Sequence, residues 1–147
     1  MKSVLVSIKP RHTANILAGL KTIELRKTGP GTPPFKVYVY ETLDGGKGSG
    51  SVICEFICDK YCGPILNFRG EADKKICEAA CVSQEDVVAY ANGGNICGWH
   101  ISDLVIYEDC KPLKNFCLPP ERTMSEWKSP LKRPPQSWCY AEELKWL

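Results

Sequence analysis

At 147 residues, 44% hydrophobic and 24% charged, the chain is long enough to bury one sizeable core and is the length of one ordinary domain, residues 1–147. No apolar run approaches the ~20 residues that cross a bilayer as a helix, so a helical membrane protein is excluded. The net charge of only +2 excludes a uniformly basic or acidic chain.

That charge is unevenly placed. Residues 1–36 hold seven basic side chains and one acidic (+6), residues 37–110 five and twelve (−7), and residues 111–147 seven and four (+3). Basic end segments around an acidic middle make a positive face if the fold brings the two ends together.

In chain order, SVLVSIK (3–9) is rich in β-branched residues and reads as a strand. The apolar stretch of MKSVLVSIKPRH is too brief for an export signal and no cleavage site follows it, which points to a cytoplasmic protein. Pro10 suits a first helical turn. Thr13, Ile16, Leu17 and Leu20 then recur at helical spacing, and Gly19 offers the cheap left-handed exit. KTIELRK (21–27) follows as a second strand, with Thr22, Glu24 and Arg26 alternating against Lys21, Ile23 and Leu25. This strand–helix–strand unit leaves Lys21 at a corner.

PGTPP (30–34) reads as a rigid loop, KVYVYET (36–42) as a strand of period two, and SVICEFICDKY (51–61) as its hairpin partner. The glycines of 45–50 lack the G-x4-G-K-[ST] order and lead into a strand, so a phosphate-binding loop is excluded there. Helices are expected over 71–81 and 83–94, the second opening with Ser83 and Asp86 at capping spacing and closing on Asn92-Gly93-Gly94. A long strand follows (96–109), then an irregular proline-rich stretch. The closing QSWCYAEELKWL is read as a strand or short helix packing Trp138 and Trp146. With no internal repeat or linker, the pattern is α+β: a sheet curling into a small barrel, with an early short helix and a mid-chain helical insert.

Nine cysteines in a reducing compartment are expected to be mostly buried thiols. Cys58/Cys62 and Cys77/Cys81 share a C-x3-C spacing that could collect zinc. However, Cys54, Phe56 and Cys58 share one strand face and Cys77 and Cys81 one helix face, so packing is preferred and no metal or cofactor is assigned.

Gly19-x-Lys21-x-x-Glu24-x-Arg26 resembles the G-x-K-x-x-E-x-R signature of ASCH domains, members of the PUA-like β-barrel superfamily. SIKPRHTANILAG, which leads into it, is similar to that family's strand–helix lead-in. WHISDLVIY (99–107), KPL (111–113) and PPQSWCY (134–140) extend the resemblance over nearly the whole chain, the last being similar to phage-type members. The resemblance implies a small barrel with a cleft beside the signature helix, proposed to bind RNA or another nucleic acid. It also implies an alternative, because some small members are amidohydrolases that deacetylate a modified cytidine. In those a lysine at the position of Lys21 works with a threonine at the position of Glu24 and an acid from the mid-chain helical region. This chain departs from that pattern with Glu at 24, and the acid does not align clearly with Glu85 or Asp86.

From the residues themselves, Lys21 and Arg26 are suited to phosphate or a base edge, the arginine through its forked donors. Glu24 is suited to pair with Arg26 or to accept from a base amino group. Lys9 would add phosphate affinity, and Tyr40 and Trp99 are either stacking platforms or core. His100 is either a wall residue or a group reaching toward Lys21. Glu55 is read as a solvent-facing strand residue, with a possible use as an acid. In the hydrolase alternative (an amidohydrolase or ribonuclease), Lys21 and Glu24 carry the catalysis, Lys21 as base or nucleophile. Partners are expected to be RNA, another nucleic acid or a nucleotide, with no membrane; oligomeric state is not legible.

Overall fold

Val4, Leu5 and Val6 are all fully buried, because the first strand has neighbours on both sides and cover on both faces. The computed structural model describes residues 1–123 and 127–145, so the expectation for Trp146 falls outside the described residues. The elements run β1 (Ser3–Ile8), α1 (Pro10–Leu17), β2 (Ile23–Arg26), β3 (Phe35–Glu41), β4 (Ser51–Cys62), α2 (Lys74–Ala80) and α3 (Gln84–Ala91). They continue with β5 (Cys97–Lys111), β6 (Cys117–Leu118), α4 (Pro120–Thr123), β7 (Ser129–Pro130) and β8 (Trp138–Tyr140). Six strands form one sheet in the order β2-β5-β4-β3-β1-β8, with only β1 and β3 parallel. The β1–β8 pairing places the N-terminal and C-terminal segments side by side.

Period two sorts each strand between two cores. Val4, Val6 and Ile8 join Phe35, Val37, Val39, Phe56 and Trp99 inside the curl of the sheet. Leu5, Tyr38 and Tyr40 face the opposite way, where Phe116, Leu131 and Ala141 cover them. A third cluster packs Ile23 and Leu25 against Cys77, Ala80 and Val87 of the helical insert. Cys54 and Cys58 lie in the first cluster and Cys77 in the third. Among the described residues no group of three possible metal ligands gathers.

Local chemistry sets the helix ends. Asp73 accepts from Ile76 N at 2.9 Å and Ser83 from Asp86 N at 3.0 Å, so both helices of the insert carry side-chain caps. The cap at Asp73 starts α2 at Lys74, later than the expected 71. Gly19 exits α1 at φ 76°, and the amides of Leu20 and Lys21 both return to Asn15 O at 3.0 Å. The expected apolar stripe on α1 is therefore shorter than the spacing suggests. Thr13 and Ile16 are buried, whereas Leu17 ends the helix half-exposed and Leu20 lies beyond the glycine in solvent.

The edge strands β2 and β8 do not pair through a backbone ladder; side chains bridge them. Arg26 donates through Nη2 to Ser7 O at 2.8 Å and through Nη1 to Ser137 Oγ at 3.3 Å. Trp138 Nε1 donates to Thr28 Oγ1 at 3.0 Å across the same seam. Arg26→Met should therefore lower the unfolding free energy by about 3 kcal/mol, since it opens the seam and strips the buried Glu24 of one cation. Urea denaturation checks this. A double-mutant cycle with Glu24→Gln should show coupling of about 1 kcal/mol or more; strict additivity would contradict the pairing.

Candidate functional site

Lys21 and Glu24 should stand on opposite faces if the strand began at Lys21. It begins at Ile23, so Lys21 belongs to the turn, where its side chain is free of the strand's alternation. Thr22 N bonds Ala79 O at 2.8 Å and Lys21 Nζ donates to Ala80 O at 2.6 Å. Both bonds tie this corner to the C-terminal end of α2. The ammonium ends 3.9 Å from Glu24 Oε2, and Arg26 Nε lies 3.4 Å from Glu24 Oε1. The three groups of the signature thus converge, with Lys21 only 3% and Glu24 only 5% exposed.

The cluster is incompletely paired. Glu24 Oε2 and Arg26 Nε are buried and make no hydrogen bond, and the same holds for His12 Nδ1. Two cations share one carboxylate in a poorly solvated place. Burial pushes the Lys21 ammonium below the usual lysine pKa, with Glu24 and Cys81 opposing the shift and Arg26 reinforcing it. His12 is likewise pushed down by burial first, then by the charge of Lys21.

These groups floor a cleft of about 840 Å³. Ser7 and Lys9 line it from the end of β1, and Arg11, His12 and Asn15 from α1. The opposite wall is the helical insert, with Cys77, Glu78, Cys81, Asp86 and Tyr90, and Pro134 to Gln136 form a third side. Lys9 and Arg11 are exposed, so one wall is basic while Glu78 and Asp86 make the facing wall acidic. Tyr90 is 39% exposed, with Lys27 Nζ 5.2 Å from its ring centroid.

Lys9, Lys21, Glu24 and Arg26 all line this cleft, but Tyr40, Trp99 and His100 do not. Trp99 is fully buried and meets Phe35 edge-on at 5.2 Å, because its register opposite Glu24 directs it into the curl of the sheet. Tyr40 is buried under the C-terminal segment. His100 stands opposite Ile23 and pairs instead with Asp59, Nδ1 to Oδ1 2.6 Å. Arg26, read as a phosphate fork, uses both terminal nitrogens on the seam. Glu55, read as solvent-facing, is 7% exposed, bonded by Tyr107 Oη at 2.9 Å and paired with Lys36 at 3.3 Å. The sequence reading did not select His12 or Tyr90, and left Asp86 without a role. Asp86 and Tyr90 stand at i and i+4 on α3, a polar–aromatic stripe that marks one helix face.

No family model matches the chain, and no curated protein does. Among solved structures, the ASCH protein of Zymomonas mobilis superposes with a TM-score of 0.58 at 19% identity, covering 97% of this chain and 89% of that one. A tyrosine-to-phenylalanine mutant of the same protein superposes at 0.68 and 18% identity, covering 97% and 92%. A serine-to-alanine mutant gives 0.68 and 18%, covering 97% and 89%. The chain therefore has the fold of the ASCH domain, with Lys21, Glu24 and Arg26 of the signature lining the cleft.

Proposed function

We propose that the cleft binds one nucleotide unit of a single-stranded nucleic acid, RNA or a modified nucleotide in particular. The observation that carries this reading is the buried Lys21–Glu24 pair, 3.9 Å apart and not hydrogen-bonded to each other, at the bottom of a nucleotide-sized hollow. A donor and an unpartnered acceptor side by side match the edge of a base, where a ring nitrogen or carbonyl neighbours an N–H group. Lys9 and Arg11 suit the phosphate, and Tyr90 flanks the slot as an aromatic platform. Arg26 acts as a positioning residue, orienting Glu24 while it holds the seam.

Binding should weaken steeply with salt, because phosphate contacts release counterions. Fluorescence anisotropy with short single-stranded RNA and DNA measures this. Lys9→Ala with Arg11→Ala should flatten the salt slope by about two contacts, and Lys21→Met should abolish most of the binding. No retention in low salt would refute the proposal.

A second reading is favoured by one observation: a buried lysine with a lowered pKa beside a carboxylate is also the apparatus of a hydrolase. The neutral amine would take a proton from water attacking an acylated nucleoside or a phosphodiester. The neutral fraction grows with pH, so turnover should rise and level off above the lysine's lowered pKa, and Lys21→Met should be inactive. Stability reports the same group independently. Between the lowered folded value and the ordinary one near 10.4, the unfolded chain holds more protons than the folded chain. The Lys21 contribution therefore makes stability rise with pH across that window, and Lys21→Met should remove that rise. Matching pH profiles of the two chains in chemical denaturation would show that Lys21 is not perturbed.

A further inference from the structure

At the rim of the cleft, basic residues from the two ends of the chain come together. Lys9 and Arg11 follow β1 at the start of α1, and residues 131–137 pass beside the end of β1 on their way into β8. That second segment is fastened at both ends. Leu131 is buried and its N–H donates to Phe116 O at 2.7 Å. Ser7 Oγ donates to Pro135 O at 2.6 Å, and Ser7 N to Ser137 O at 2.9 Å. Lys132 and Arg133 lie between these anchors, both exposed, and Arg133 immediately precedes the cleft-lining Pro134. Two residues of chain reach at most about 7 Å, so the backbone of Arg133 cannot leave the cleft's edge.

The rim carries charge of one sign. Neither 7–12 nor 131–137 holds an acidic residue. Among the described residues the side chains of Lys9, Arg11, Lys132 and Arg133 make no ion pair or hydrogen bond. The loop that abuts Pro10 through Gly48 adds Asp44 and Lys47, which offset each other. Glu41, at the base of that loop, is held by Thr13 Oγ1 and Ser49 N. Across the cleft the insert wall presents exposed Glu78 and Asp86 instead. Further out on the insert, Glu71 and Asp73 balance Lys74 and Lys75. A polyanion leaving the cleft is repelled on the insert side and attracted on the proline side.

We infer that a single strand with one nucleotide in the cleft runs out over the Pro134–Pro135 side, its next phosphates held by Lys132 and Arg133. The inference rests on the reading proposed above. These contacts go to the sugar–phosphate backbone, so the rim adds affinity without sequence preference. Because the segment that carries the two cations is anchored on both sides, little backbone freedom is lost when the strand settles on it.

The test uses the full chain, with a mononucleotide and an octanucleotide of the same base as probes, for each of the four bases. The octanucleotide should bind the unaltered chain more tightly. Lys132→Ala with Arg133→Ala should leave mononucleotide affinity unchanged, lower octanucleotide affinity about tenfold at low salt, and reduce its salt slope by about 1.4, the value of two phosphate contacts on a single strand. Lys74→Ala with Lys75→Ala, on the insert side, should change neither probe. If both lengths bind and the Lys132/Arg133 variant alters neither affinity nor slope, the inference falls alone. It falls equally if that variant weakens both probes alike, or if the Lys74/Lys75 variant causes the loss. If neither length binds the unaltered chain, the cleft reading falls and takes this inference with it.

Discussion

The structure depends on a carboxylate that has no inexpensive place to be. Glu24 points into the mouth of the curled sheet, and burying a charge there is tolerable only with opposite charge beside it. Arg26 and Lys21 supply that charge from two directions, and each is itself fastened to a different part of the molecule: Arg26 to Ser7 and Ser137 across the sheet seam, Lys21 to Ala80 of the insert. The signature thus ties together three things that would otherwise be separate, namely the two edges of the sheet and the helical insert. The same arrangement leaves Glu24 Oε2 without a hydrogen bond at the floor of a hollow, so one interaction serves both the fold and the site.

Position 24 also separates the two functional readings. In the amidohydrolases that the signature resembles, threonine stands there, and a neutral hydroxyl does nothing to hold a proton on the lysine. Here the carboxylate favours the charged form of Lys21 and acts against burial, although burial remains the larger effect. A lysine held closer to its ammonium form suits recognition of a phosphate or a base carbonyl better than general-base work. That balance, and the difference between a basic α1 wall and an acidic insert wall, support the proposed binding reading over the hydrolase one. In the proposed reading the anionic end of a nucleotide meets the basic wall and its hydrogen-bonding end the Lys21–Glu24 floor.

Most of the architecture was legible in the chain. The strands at 3–9, 36–42, 51–61 and 96–109, the capped helices of the insert and the glycine exit after α1 all follow from period, caps and turn residues, which are local. The signature residues were also legible, as a spacing. What misled was the solvent side of individual strand positions. Tyr40 and Trp99 could have been platforms or core by their chemistry, and Glu55 reads as exposed because its strand alternates. Whether the outer face of a strand meets water depends on what packs over it, here a C-terminal segment distant in sequence.

By itself, the sequence determined the order of elements, the α+β class, the short helix ended by Gly19 and the membership of Lys21, Glu24 and Arg26 in one motif. These are consequences of residues acting on near neighbours. Tertiary structure alone decided that Lys21 turns back to Glu24, that Arg26 spends its fork on the seam, that His100 pairs with Asp59, and that Asp86 and Tyr90 form the facing wall. Lys21 is only three residues from Glu24 but is held there by Ala80, Arg26 is held by Ser137 and His100 by Asp59, all contacts between segments tens of residues apart. Such contacts form only when the sheet curls and the insert docks on Ile23 and Leu25, and no local pattern encodes which groups they bring within reach.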